Sequence, residues 1–163
     1  MHNIFSYIWT NYQTTMKERT IDYILRTTWL AVQKMYNEEA AKFESTMATG
    51  FTLLSIDPEK GTPSTALGPK MGMEATSLSR ILKTMEAKGL IERHPNPEDG
   101  RGVIIRLTEF GRQKRANSKE KVLIFNETIR KNISEEKLNH FYEVSDLISD
   151  MISNKKIYDQ NDK

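Results

Sequence analysis

Cysteine is absent from all 163 residues. This excludes a disulfide scaffold, thiol catalysis, a thiol redox sensor and any cysteine-based zinc site. Histidine is scarce: His2, His94 and His140 stand far apart, and none has a neighbour at metal-ligand spacing. No metal or other cofactor is expected. Long apolar runs are missing too. No stretch approaches the ~20 residues of a membrane span, so no membrane partner is expected. The chain also lacks a nucleophile elbow, a phosphate-cradling glycine-rich loop and carboxylates paired in a pocket context, so an enzyme is not expected.

What is present suits one ordinary domain, or a small domain with an appended assembly region. Hydrophobic residues make up 37% of the chain, enough for a packed core. Net charge is only +2, but it is unevenly placed. Residues 1–16 carry no charged side chain, and residues 17–62 hold 6 basic and 7 acidic residues. Residues 63–115 hold 10 basic and 6 acidic, and residues 116–163 hold 8 and 9. A basic middle between near-neutral flanks suits contact with a polyanion.

The first sixteen residues are uncharged and rich in aromatics (Phe5, Tyr7, Trp9, Tyr12). They lack the basic start and small-residue cleavage site of a signal peptide. They read as a loosely ordered arm, as an upstream start with Met16 the true initiator, or as an arm that packs on a partner subunit. From residue 17 to about 43, Ile21, Ile24, Leu25, Thr28, Val32, Met35 and Tyr36 recur at helical period. A shorter helix is expected over 46–56, with Met47, Phe51 and Leu54 on one face, ending at the turn-forming Asp57-Pro58-Glu59-Lys60-Gly61.

Thr62-Pro63 reads as an N-cap followed by proline at the first helical position. The helix it opens is expected to be short, bent by Gly68-Pro69 and closed by Gly72. A further helix over 74–88 has Leu78, Ile81, Leu82 and Met85 inward, with Gly89 just past its end. Then the period changes. Residues 90–94 and the β-branched run 103–107 flank the turn-rich PNPEDGRG, giving a two-stranded hairpin with an eight-residue tip. Thr108 is expected to cap a helix running to about Asn132. Ser134 should cap a last one, whose apolar face includes Leu138, Phe141, Tyr142, Val144, Leu147, Ile148, Met151 and Ile152. The tail from Asn154 is polar and expected to fray.

Two helices joined by a tight turn, followed by a β-ribbon, make a winged helix-turn-helix within a mostly α (α+β) fold. In that unit the second helix enters a major groove about 12 Å wide, so its exposed side should carry small polar and basic residues. Ala75, Thr76, Ser77, Ser79, Arg80 and Lys83 meet this requirement. Arg101, on a glycine-flanked tip, suits a narrow minor groove. Asp99 cannot favour DNA by its own charge. Its expected work is to orient an arginine, either Arg101 itself or another such as Arg80.

The run LGPKMGMEATSLSRILKTMEAKGLIERHPNPEDGRGVIIRLTEFG, residues 67–111, resembles the winged-helix core of MarR-type transcriptional regulators. The matching motifs are Leu78-Ser79-Arg80, then Leu82, Met85-Glu86, Lys88-Gly89-Leu90-Ile91 and Arg93. They continue with Pro97-Glu98-Asp99-Gly100-Arg101 at the wing tip and Leu107-Thr108-Glu109-Phe110-Gly111 where the wing closes. Gly68-Pro69 and Gly100 depart from the family's pattern, Gly100 standing where an arginine is common.

The resemblance implies a cytoplasmic bacterial homodimer held by long N- and C-terminal helices, here 17–44 and 112–154. It implies a DNA-binding domain at 45–111, with 155–163 as a polar tail. It also implies double-stranded DNA with a pseudo-palindromic operator as partner, and release by a small aromatic or lipophilic effector. Carried over by position, the recognition residues are Thr76, Ser77, Ser79, Arg80 and Lys83, and the wing pair is Asp99 and Arg101. Trp29 and Phe51 are the residues expected at an effector pocket, though aromatics at helical spacing also serve as dimer core. The competing reading is a winged helix that binds protein and no DNA.

Overall fold

In the computed structural model, residues 20–97, 100 and 102–158 are described. The chain divides into two compact units, residues 1–115 and 116–163. In the first, helix α1 (Ile21–Ala41) is followed by α2 (Met47–Ser55), strand β1 (Thr62–Pro63), α3 (Ser64–Met71) and α4 (Ala75–Ala87). Strands β2 (Ile91–Pro95) and β3 (Val103–Leu107) come next, and α5 (Glu109–Asn132) begins there and continues into the second unit. Helix α6 (Glu135–Ser153) completes the second unit. Among the described residues, no helix is long and apolar enough to cross a membrane.

Capping chemistry fixes several boundaries. Thr46 Oγ1 accepts the Thr49 N–H at 3.1 Å, and Asn37 Oδ1 on α1 accepts the Met47 N–H at 3.0 Å, so α2 starts with two of its orphan donors satisfied. Thr108 Oγ1 caps α5 by accepting the Gly111 N–H at 2.9 Å. Ser134 occupies the N-cap of α6, but its hydroxyl makes no capping bond; Glu135 and Glu136 supply the negative charge there.

Four helices end in the same way. After α1, the Ser45 N–H bonds to Ala40 O and the Glu44 N–H to Ala41 O, both at 3.1 Å, with Glu44 left-handed at φ 54°. The same paired bonds follow α3 around Gly72, α4 around Gly89 and α6 around Lys155. These are Schellman motifs, which satisfy the last carbonyls of a helix. The tail expected to fray from Asn154 is therefore still hydrogen-bonded through Lys156 N–H to Met151 O at 2.9 Å.

Thr62-Pro63 departs from expectation. The pair forms β1, antiparallel to β3 with Thr62 opposite Ile105 and Pro63 opposite Ile104, so the helix opens one residue later than expected. The reason is local and tertiary together. The Thr62 hydroxyl already accepts the Asp57 N–H at 2.9 Å, and a proline is tolerated on an edge strand. Helix α3 then starts at Ser64, with Pro63 as its N-cap, and runs through Pro69 to Met71.

Among the described residues, the sheet has the order β1–β3–β2. Its inner face and three helices enclose the core: Leu53 and Ile56, Leu67, Leu78, Leu82 and Met85, then Leu90, Ile91, Ile105 and Leu107. Met71, Ile81 and Val103 pack against it. Each buried side chain of this size stabilises by roughly 1.5–3 kcal/mol. The outlying helices are different. α1 has no buried residue, and in the second unit Leu138 is the only buried side chain of α6.

Candidate nucleic-acid interface

Helix α4 has two chemically opposed faces. Leu78, Leu82 and Met85 are buried, while Thr76, Ser77, Ser79, Arg80 and Lys83 are all exposed. Among the described residues, neither Arg80 nor Lys83 forms an ion pair. The helix is held by its apolar side against α3, whose Leu67 is fully buried, through the tight turn at Gly72. Thr76, Ser77 and Ser79 give that exposed face small hydroxyl side chains.

The wing follows at once. β2 and β3 pair from Ile91 opposite Leu107 to Pro95 opposite Val103, and the Asn96 N–H closes the ribbon on Gly102 O at 3.0 Å. The wing pair Asp99 and Arg101 lies outside the described residues. The proposed contact of Asp99 with Arg101 or Arg80 lies outside them too.

Three polar ties hold this head together, and none was visible in the sequence. Arg93 Nε donates to Glu86 Oε2 at 2.9 Å, joining α4 to β2. Lys88 Nζ, at the end of α4, donates to Glu44 O at 2.9 Å. Lys70 Nζ on α3 donates to Ser55 O at 3.1 Å, across to the end of α2. Each crosses a turn or many residues, so periodicity carries no trace of it. His94, on exposed β2, sits 3.2 Å from Glu92 Oε2. Among the described residues, no three His, Asp or Glu side chains are gathered as for a metal ion.

Trp29 and Phe51, the expected effector-pocket residues, have different settings. Trp29 is 47% exposed on α1, on the same face as Ile21 and Leu25. Phe51 is half-buried and meets the Tyr36 ring edge-on at 5.8 Å. Burial there raises the Tyr36 phenol above its ordinary pKa. A separate open groove of about 440 Å³ lies at the wing base, lined by Glu86, Ile91, Glu92, Arg93, His94 and Thr108.

A helix-turn-helix with a cationic, hydroxyl-bearing second helix, backed by an antiparallel ribbon, defines a winged-helix fold. Residues 46–103 match the model of the MarR family. The multiple antibiotic resistance protein MarR of Escherichia coli K12 is 32% identical over 78 residues, which are 48% of this chain and 54% of that protein. The chain spans about half the length of the curated relatives it matches. The fold is shared with MepR of S. aureus in complex with DNA, at a TM-score of 0.73, with 21% identity over 82% of this chain and 99% of that one. It is shared also with CouR of Rhodococcus jostii RHA1 bound to p-coumaroyl-CoA, at a TM-score of 0.71, with 19% identity over 82% and 93%.

Proposed function

We propose that the chain is a sequence-specific DNA-binding transcriptional regulator, a ligand-responsive repressor that occupies a pseudo-palindromic operator as a homodimer in the bacterial cytoplasm. It acts by occupancy and not by catalysis. The observation that carries this reading is the exposed face of α4, where Thr76, Ser77, Ser79, Arg80 and Lys83 lie together and, among the described residues, neither Arg80 nor Lys83 forms an ion pair. Arg80 is assigned to a base edge or phosphate, Lys83 to phosphate and the hydroxyls to either. Asp99 and Arg101 are assigned to the minor groove at the wing.

Two heads must sit about one helical turn apart, roughly 34 Å, to enter successive major grooves. The apolar side chains left exposed on α1 and α6, among them Ile21, Leu25, Leu147 and Ile152, support pairing with a second copy. An effector of aromatic or lipophilic character is assigned to the region of Trp29 and Phe51, in keeping with the p-coumaroyl-CoA held by CouR.

The test is selection of DNA fragments by the purified protein, followed by a salt titration on the selected site. The expected product is an inverted repeat, with log K falling by about 0.9 per phosphate contact for each unit of log[salt]. Failure to enrich any sequence, or an affinity indifferent to salt, would favour the protein-binding winged helix.

A further inference from the structure

The turn at residues 42–45 joins α1 to the rest of the first unit, and two cations from distant parts of the sequence converge on it. Lys88, at the end of the reading helix α4, donates to Glu44 O at 2.9 Å. The Lys114 ammonium of α5 stands 5.9 Å from the Phe43 ring and 5.1 Å from the Phe110 ring, both within cation–π range. Asn37 Oδ1 spans the same turn from the α1 side by accepting the Met47 N–H at 3.0 Å. Glu44 itself is left-handed at φ 54°, a conformation in which glycine is usual. A conformation that a glutamate resists is thus held with its carbonyl occupied by the end of α4.

Geometry makes this turn a sensitive place. α1 has 21 residues and is about 31 Å long at 1.5 Å per residue. A swing of about 10° at its C-terminal end would move its far end by about 5 Å, more than the ~3.4 Å rise of one base pair. We propose that Lys88 is a positioning residue: together with the Phe43–Lys114 contact it locks the 42–45 turn and so sets the angle between α1 and α4. In the regulator this angle determines which half-site spacing the paired heads accept, a consequence that rests on the DNA-binding reading above. Lys88 need not touch DNA to do this. Its bond to Glu44 is solvent-exposed. Removal should therefore leave the fold and the affinity for a single half-site in place.

The absence of cysteine makes a direct measurement available. In the full chain, Asp22→Cys on α1 and Thr84→Cys on α4 take spin labels at those two points alone, and excess unlabelled protein suppresses pairs between copies. Electron–electron distance distributions are recorded for the parent, Lys88→Met and Lys88→Arg. Lys88→Met should broaden the α1–α4 distribution about twofold, and Lys88→Arg, which keeps a donor, should restore the parent width. On DNA, Lys88→Met should bind one half-site within about twofold of the parent, while its preference among inverted repeats differing by one base pair falls about fivefold.

An unchanged distance distribution in Lys88→Met overturns the proposal whatever the DNA result. So does a loss on the single half-site as large as the loss on the full operator. If the parent binds no inverted repeat while the distances respond as stated, the DNA-binding reading fails and the joint stands.

Discussion

Gly111 lies against the Leu90 carbonyl so closely that a Cβ added to it would stand 1.9 Å from that oxygen. The first turn of α5 and the turn between α4 and β2 are thereby in backbone contact. Thr108 reinforces the junction, its N–H donating to Leu90 O at 3.1 Å and its hydroxyl to Gly89 O at 2.6 Å. Gly111→Ala should therefore force these segments apart at a cost of about 3 kcal/mol or more, read as a lowered urea midpoint. Gly100→Ala, with nothing within 4 Å of the added carbon, should stay within about 0.5 kcal/mol of the parent. Equal stability in the two variants would contradict the contact.

Arg80→Ala should weaken binding to the selected operator by about 1–3 kcal/mol and relax the base preference at one position. Lys83→Ala should weaken all sequences alike and reduce the salt slope by about 0.9. Arg101→Ala should also weaken binding, several-fold at least. Fluorescence anisotropy across a salt series separates these outcomes, and parent-like affinity in any variant removes the role assigned to that residue.

The two Schellman motifs closed without glycine predict gains in stability. Glu44 and Lys155 sit at φ 54° and 56°. Replacing either by glycine should stabilise by about 0.5–1 kcal/mol, visible as a raised Tm. Gly89→Ala, at φ 67°, should have the opposite sign. No rise for either glycine variant would mean that the side chains contribute more than the backbone costs.

Asp57 gives the acid limb a defined contributor. The backbone N–H groups of Lys60 and Glu59, at 2.8 and 2.9 Å, hold its carboxyl below the ordinary value of 3.8. A depressed carboxylate stabilises the fold above its unfolded pKa and loses that contribution as pH falls through the folded value. Asp57→Ala should thus be less stable than the parent at neutral pH, with the gap narrowing only below about pH 4. A gap that is flat from pH 7 to 2 would remove the carboxylate from the account.

Self-association should depend on the open faces of the long helices. Leu147 and Ile152 of α6 are 57% and 61% exposed. Leu147→Asp with Ile152→Asp should shift sedimentation from twice the chain mass to once, with the helix-turn-helix still folded. A parent sedimenting as a single chain would leave those faces without the assigned partner.

The helix-turn-helix was legible because its local signals and its packing agree. Leu78, Leu82 and Met85 recur at helical spacing and point into the core, and Gly72 and Gly89 end helices where left-handed backbone is needed. At Thr62-Pro63 the short helix is legible to within one residue, but the edge strand is not, because one dipeptide satisfies both local rules. The deciding partner, Ile104–Ile105, lies about forty residues on. Likewise the motif that contains Lys88 says nothing of its bond to Glu44, which spans 44 residues. The exposed face of α4 could be predicted from spacing, whereas the ties that orient it depend on tertiary approach.

Both rims of the small sheet carry a proline, Pro63 on β1 and Pro95 on β2. Neither residue has an amide hydrogen to offer, so each rim resists recruiting a foreign strand. Two copies are thus discouraged from stacking ribbon to ribbon, which leaves the exposed apolar faces of the long helices as the better seats for any self-association.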